Sequence, residues 1–180
     1  MNKIKKLKIF GTLVAFILCF PLHFLYEKFP NFITSIIAPV NESIAEHMKI
    51  LFGAILLSGV IQKIIVKIKK LNINNVCISN FTAAILSIPI FLIMFLPVYS
   101  LIGKNFVITI IIMFISIVIA EVISYYIMRR NDLKLENMAI LFVVITYITF
   151  GLFTYFTPQN KLFIDPLDNT YGIKKIVRTN

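Results

Sequence analysis

The sequence has no tryptophan, only two cysteines and few charged residues, which make up 14% of its 180 positions. A typical soluble domain is about 25% charged, so this chain lacks the polar surface that such a domain needs. Cys19 and Cys77 lie in different apolar segments and show no CxxC spacing. The sequence therefore argues against a disulfide framework and against a cysteine-based metal site.

The usual catalytic signatures are missing as well. The chain contains no phosphate-binding loop, dinucleotide fingerprint, nucleophile elbow or Cys/His catalytic pair. These absences exclude the commonest nucleotide-dependent and hydrolytic enzyme classes. No motif indicates a cofactor, no metal is predicted, and whether the protein is an enzyme stays open.

Long apolar segments take the place of these signatures, since 59% of the residues are hydrophobic. A helix needs about 20 mostly apolar residues to cross a bilayer. Five segments meet this length, over residues 8–26, 44–67, 81–101, 106–128 and 138–156. We predict an all-α, polytopic transmembrane helix bundle that forms one integral membrane domain over residues 1–180, with a tail over residues 157–180.

A shorter apolar segment over residues 29–40 contains Pro30 and Pro39. A helix of this length reaches only about 18 Å, which is too short to cross the hydrocarbon core. The sequence therefore predicts that this segment lies in the membrane interface or re-enters the membrane.

The net charge of +10 comes from short clusters between the apolar segments. This distribution is typical of topology signals and of contact with lipid head groups, and it does not predict nucleic-acid binding. Eleven basic residues fall at one end of the predicted bundle: Lys3, Lys5, Lys6, Lys8, Lys63, Lys67, Lys69, Lys70, Arg129, Arg130 and Lys134. The loops at the other end hold Lys28, Lys49 and Lys104, and the tail adds Lys161, Lys174, Lys175 and Arg178. The positive-inside rule then predicts a cytoplasmic N-terminus and an extracytoplasmic C-terminus. We expect the membrane to be the plasma membrane.

The densest polar motif lies at residues 41–49, where the second spanning helix begins. Glu42 and Glu46, four residues apart, lie on one face of a helix and repel each other unless a cation or a shared proton intervenes. Such a pair suits a metal, acid–base chemistry or recognition of a cationic group. Ser43 and Glu46 also match a capping box, which is a purely structural alternative. The candidate ligand-binding residues here are Asn41, Glu42, Glu46, His47 and Lys49.

Two further groups belong to the same predicted outer face. His23 and Glu27 lie four residues apart at the end of the first spanning helix, and His23 is a candidate third wall. The tail is rich in turn-forming residues, and we expect it to fold back so that Asp165, Asp168 or Tyr171 contacts residues 41–49. Lys161, Lys174 or a bound cation would then compensate the negative charge of the motif.

A lone carboxylate, Glu121, falls within the fourth spanning segment. An ionised carboxylate that faces lipid costs several kcal/mol, so Glu121 is expected to face the bundle and to have a cationic partner. Lys63 of the second spanning segment has a similar computed depth. We therefore predict a structural ion pair between Glu121 and Lys63.

Residues 39–43 (Pro-Val-Asn-Glu-Ser), followed by Glu46, His47 and Lys49, are joined in this chain to Asp165-Pro166 and to Thr-Tyr-Gly-Ile at residues 170–173. This pattern resembles an uncharacterised family of small bacterial multi-pass membrane proteins, which is defined as a domain of unknown function. Many relatives have an aromatic residue where this chain has Ala45, a difference that concerns packing. The resemblance implies a bacterial membrane protein whose two motifs act together, and it implies no activity.

Three functional hypotheses fit these features. The favoured one is a small transporter or solute-binding membrane subunit, in which the prolines Pro21, Pro89 and Pro97 permit helix breaks. The second is a membrane-embedded enzyme acting on a lipid or lipid-linked substrate, with Glu42 or Glu46 as acid/base and His47 as partner. The third is a non-catalytic accessory or immunity-type protein that acts through membrane protein partners.

Overall fold

A computed structural model describes residues 3–103 and 105–173. Its helices are α1 (Lys3–His23), α2 (Leu25–Lys28), α3 (Phe32–Ile37), α4 (Ile44–Ile68), α5 (Val76–Ile102), α6 (Phe106–Met128) and α7 (Glu136–Tyr155). The described part of the chain contains no strand beyond an isolated bridge between Ile164 and Tyr171. Lys104, Lys174, Lys175 and Arg178, which entered the charge comparison, lie outside the described residues.

The prediction of an all-α bundle with five spanning helices is confirmed. Within residues 3–103 and 105–173, five helices are long and apolar enough to cross a membrane, where α1 and α2 count as one span, Lys3–Lys28. Their outward faces carry large apolar side chains such as Leu101 and Ile93, which are 83% and 74% exposed. Water does not favour such a surface, so the helices indicate insertion into a lipid bilayer.

Helix α4 lies at the centre of the bundle. Its most apolar stretch is 56% buried, whereas the corresponding stretches of the other spanning helices are 11–28% buried. Small residues let the neighbours approach: α1 buries Gly11, Ala15 and Cys19 at four-residue spacing. A Cβ on Gly59 would lie 2.7 Å from Cβ of Asn80, so α4 and α5 are in close contact there.

Helix α5 begins at Val76, five residues before the predicted start at residue 81. Ser79 and Asn80 lie before the predicted start, and both side chains are buried in the bundle. Their polar atoms donate hydrogen bonds to the Val76 carbonyl of the same helix, Ser79 at 3.1 Å and Asn80 at 2.8 Å. Local bonding of this kind lets polar residues lie inside a spanning helix, which is why composition misplaced the boundary.

The apolar segment before α4 forms the short helix α3. Asn31 and Thr34 cap it reciprocally, since each side chain bonds to the backbone of the other residue. The helix packs against α4 and α7, and its Ser35 hydroxyl lies 3.0 Å from the Tyr155 hydroxyl of α7. This segment brings two backbone carbonyls, those of Ser35 and Ala38, to the amino-terminal end of α4.

Candidate functional site

The tail packs against the residues that precede α4. The Ala45 amide donates to the Leu162 carbonyl at 2.9 Å, and the Asn41 side-chain amide donates to the Gly172 carbonyl at 2.9 Å. The predicted contact between the tail and residues 41–49 is therefore present. It is made largely by backbone groups of the tail.

Asp165 is a polar tail side chain that reaches the motif. It is fully buried, and its Oδ2 accepts a hydrogen bond from the Glu42 amide at 3.4 Å. Its Oδ1 accepts from the Leu167 amide at 2.9 Å, which closes a turn in the tail. Asp165 therefore fixes the backbone position of Glu42, and its own carboxylate is occupied in doing so.

The other predicted tail residues lie further out. Asp168 is exposed and accepts hydrogen bonds from the amide and hydroxyl of Thr170. Tyr171 is 39% exposed and forms the backbone bridge with Ile164. Lys161 is exposed as well. The Asp165 side chain and the carbonyls of Leu162 and Gly172 are tail groups that make the predicted contact.

Glu46 and Lys49 form a buried ion pair that also involves Thr154. Lys49 Nζ lies 2.6 Å from Glu46 Oε2, and the side chains are 1% and 5% exposed. Lys49 also donates to Thr154 Oγ1 and to the Ser35 carbonyl, the latter at 2.8 Å. Glu46 accepts from the Val40 amide and from the Thr154 hydroxyl, each at 2.9 Å. These bonds join α4, α7 and the segment around α3, and we call them the Glu46 network.

Only one of the two hydrogen bonds of the predicted capping box is present. The Ser43 hydroxyl accepts from the Glu46 amide at 3.3 Å, as predicted. The Glu46 side chain does not return to the Ser43 amide, which instead donates to Asn41 Oδ1 at 2.9 Å. The carboxylate is drawn away because Lys49 lies on the same helix face and provides a full positive charge.

His23, Glu42 and His47 form a second, more accessible group, which we call the histidine cluster. His23 Nε2 lies 3.7 Å from Glu42 Oε1, and His47 Nε2 lies 3.8 Å from Glu42 Oε2. The two imidazole rings have their centroids 5.1 Å apart. Each side chain is about 30% exposed, at 30%, 30% and 28% in chain order. Two histidines and a carboxylate thus converge at the end of the bundle where α1 finishes.

The predicted ion pair between Glu121 and Lys63 is wrong. Glu121 Oε2 lies 2.8 Å from Lys8 Nζ of α1, and both side chains are at most 5% exposed. Lys63 is 53% exposed and pairs with Glu136 at 3.0 Å. Each residue turns a helix by about 100°, so Gln62 faces the bundle and its neighbour Lys63 faces outward. Lys63 and Glu121 have similar depths in the predicted membrane, but Lys63 lies on a side of its helix that does not face Glu121.

The Lys8–Glu121 pair belongs to a longer chain of buried polar groups, which we call the inner polar network. Lys8 Nζ also donates to Asn80 Oδ1 at 2.9 Å, and Gln62 Nε2 donates to the same oxygen at 3.2 Å. Gln62 Nε2 lies 3.2 Å from Ser58 Oγ, which donates to the Gly11 carbonyl at 2.7 Å. Four spanning helices, α1, α4, α5 and α6, therefore contribute to one connected set of polar atoms.

Three buried polar atoms near this network have no hydrogen-bond partner among the described residues. They are Glu121 Oε1, Gln62 Oε1 and Ser124 Oγ. Lys8 and Glu121 also line a cavity of about 460 Å³ between α1 and α6, which is partly open at the surface of the bundle. Its polar side chains are Lys5, Lys8, Thr12, Glu121, Tyr125 and Tyr126. A cavity of this size, mostly apolar with a few polar groups, is typical of a small-molecule site.

Sequence reasoning missed Lys8 because it was counted as a topology signal. A usable indication was present in the chain. Lys8 lies three residues before Gly11 and seven before Ala15, and these small residues form the face that α1 packs against its neighbours. A lysine on that stripe points into the bundle, so its position should have outweighed its membership of the basic cluster.

The histidine cluster and the inner polar network lie at opposite ends of α1. Lys8 and His23 are fifteen residues apart, which corresponds to about 22 Å along a helix. The histidine cluster lies at the end with the tail, and the inner polar network lies towards the end where α1 begins. The histidine cluster and the inner polar network are therefore well separated within the described part of the chain.

The chain belongs to a family of unknown function, DUF6512, whose model matches residues 1–173. No curated protein matches the chain. No solved structure matches it either.

Proposed function

We propose that the protein is a small transporter or solute-binding membrane subunit in which the inner polar network is the solute site. The observation that carries this proposal is the buried Lys8–Glu121 pair on the wall of a 460 Å³ cavity, with one carboxylate oxygen unpartnered among the described residues. A buried ion pair is seldom the most stable solution, since apolar side chains of similar volume often stabilise as well or better. Charged groups inside spanning segments instead mark ion and solute pathways.

The charges of the cavity favour an anionic solute with an apolar body. Lys8 is balanced by Glu121, which leaves the charge of Lys5 at the cavity unbalanced. Most of the remaining wall is apolar, which suits a hydrocarbon or aromatic part. An anion that binds Lys8 competes with the Glu121 carboxylate, so a proton on Glu121 would accompany it. The proposal therefore includes joint movement of an anion and a proton.

Uptake into proteoliposomes tests this proposal. We expect an inward gradient of alkyl phosphates or aryl sulfonates, which do not cross lipid alone, to acidify a lumen that contains a pH-sensitive dye. Glu121→Gln should abolish the acidification because the amide takes up no proton. Lys63→Gln, which removes a lysine next to Gln62 but outside the network, should retain it. Equal dye responses for the wild type and Glu121→Gln with every anion would contradict the proposal.

The alternative of a membrane-embedded enzyme has less support from the geometry. Glu46 is 4% exposed, and its carboxylate is engaged by Lys49, Thr154 and the Val40 amide. Acid–base chemistry requires a carboxylate within hydrogen-bond reach of a substrate proton. Glu42 and His47 are accessible enough for such a role, and they belong to the histidine cluster.

The proposed orientation places the N-terminus in the cytoplasm and the C-terminus outside, in a plasma membrane. It rests on the excess of basic residues at the end where α1 begins. In a Cys19→Ala/Cys77→Ser background, we expect an impermeant thiol reagent to label Leu167→Cys, but not Asn131→Cys, in intact cells. Permeabilised cells, in which both positions should react, provide the control. Labelling of position 131 with protection of position 167 would reverse the orientation.

A further inference from the structure

The spacing of the histidine cluster fits an ion better than it fits hydrogen bonds. The two N···O distances to Glu42 are 3.7 and 3.8 Å, longer than the roughly 2.7–3.2 Å of a hydrogen bond. Metal-ligand bonds of about 2.0–2.1 Å in a tetrahedral site place two ligand atoms about 3.3 Å apart. One ligand atom from each of His23, Glu42 and His47 lies within 4.8 Å of the others. Small side-chain rotations therefore bring all three onto one ion.

His47 is held in the tautomer that a metal needs. Its Nδ1 lies 2.8 Å from the Ser43 carbonyl oxygen. A carbonyl has no proton, so Nδ1 must donate, and the neutral ring then carries its lone pair on Nε2. Nε2 is the atom that faces Glu42. Metal-binding histidines commonly donate their other ring N–H to a backbone carbonyl in this way, which fixes the ring and raises its basicity.

The remaining ligands are positioned by separate elements. His23 is the last residue of α1, and its ring lies edge-on to Phe24 with centroids 4.7 Å apart. The Glu42 backbone is held by Asp165 of the tail. Glu42 and His47 also line a cavity of about 80 Å³, which leaves room for a water molecule or another fourth ligand. Three protein ligands with an open position is the arrangement of accessible zinc sites.

We infer that His23, Glu42 and His47 form a binding site for a divalent transition metal, with Zn²⁺ as the best-fitting ion. Two imidazoles and one carboxylate favour zinc and its neighbours in the first transition row, whereas Mg²⁺ and Ca²⁺ prefer oxygen ligands throughout. The site is separate from the inner polar network and does not depend on the proposed transport of an anion. The tail contacts the loop that carries Glu42 through Asp165, whose carboxylate accepts a hydrogen bond from the Glu42 amide.

Calorimetric titration of the full-length protein with ZnCl₂, in detergent and after removal of metals with a chelator, tests the inference. We expect one Zn²⁺ per chain with a Kd at or below about 1 μM. His23→Asn/His47→Asn should weaken binding by at least about 100-fold, because even loss of a supporting residue costs 10- to 100-fold. Glu42→Gln, a nearly isosteric change at a partly exposed position, should weaken binding by at least about tenfold if the double variant fails to fold.

Glu27→Gln provides the matched control. Glu27 lies four residues after His23 at the same end of the bundle, and it is not part of the cluster. This variant should bind Zn²⁺ within about twofold of the wild type, a difference of less than 1 kcal/mol. Wild-type binding weaker than about 100 μM would overturn the inference. So would Zn²⁺ binding at the wild-type affinity in both Glu42→Gln and the double histidine variant, since the metal would then occupy another site.

Discussion

Lys8→Met alone is expected to destabilise the protein by about 3–5 kcal/mol, the usual cost of leaving one partner of a buried ion pair behind. The change leaves the Glu121 carboxylate, which is 2% exposed, without its cation. Asn80 Oδ1 also loses a donor at 2.9 Å. Thermal and denaturant unfolding of the purified protein in lipid nanodiscs would measure the loss.

The paired substitution separates charge imbalance from lost packing. Lys8→Met/Glu121→Leu removes both charges together and should recover most of the stability, because apolar replacements of buried pairs are often neutral or stabilising. Lys63→Met provides the matched control, since it breaks the exposed pair with Glu136 and should cost no more than about 1 kcal/mol. If Lys63→Met is as unstable as Lys8→Met, breaking the buried Lys8–Glu121 pair costs no more than breaking an exposed pair, which contradicts this prediction.

Glu46→Gln should lower the stability by about 3 kcal/mol, although glutamine has almost the same shape. The Glu46 carboxylate accepts hydrogen bonds from Lys49, Thr154 and the Val40 amide. A glutamine amide keeps one acceptor oxygen and turns the other position into a donor, which opposes these donors. Lys49, 1% exposed, would also keep its charge without a counter-ion.

The matched control for this change is Glu42→Gln, at a side chain that is 30% exposed. In metal-free buffer it should alter the stability by no more than about 0.5 kcal/mol. Unfolding curves for the two variants decide between a structural and a chemical role for Glu46. If Glu46→Gln unfolds like the wild type, the Glu46 network does not stabilise the fold, and Glu46 returns as a candidate acid/base.

The spanning helices were predictable because hydropathy over about 20 residues is a strong signal. The ends of the helices were harder to predict, and α5 is the example. Ser79 and Asn80 lie before the predicted start of this helix, yet both bond to the Val76 carbonyl inside it. In lipid the backbone must be satisfied within the helix, and short polar side chains are compatible with that when they bond locally.

The candidate sites were predictable to different degrees. The contact between the tail and residues 41–49 followed from turn chemistry at Asp165 and from a shared face. The partner of Glu121 did not, because depth was estimated without the rotation of each helix, so Lys63 was chosen in place of Lys8. The approach of His23 to residues 41–49 was expected from their shared face, and Glu42 is the residue it approaches. Which residue of the motif His23 approaches depends on where α1 ends relative to α4. That relation is set by helix packing, which no local pattern in the sequence encodes.

We propose that the Lys8–Glu121 pair serves transport and that removing both charges together leaves the fold stable. Proteoliposomes of Lys8→Met/Glu121→Leu, compared with the wild type in the dye assay and in unfolding, test it most directly. We predict a variant at least as stable as Lys8→Met, and close to the wild type, that shows no anion-driven acidification of the lumen. A stable double variant that still acidifies the lumen at the wild-type rate would contradict the claim.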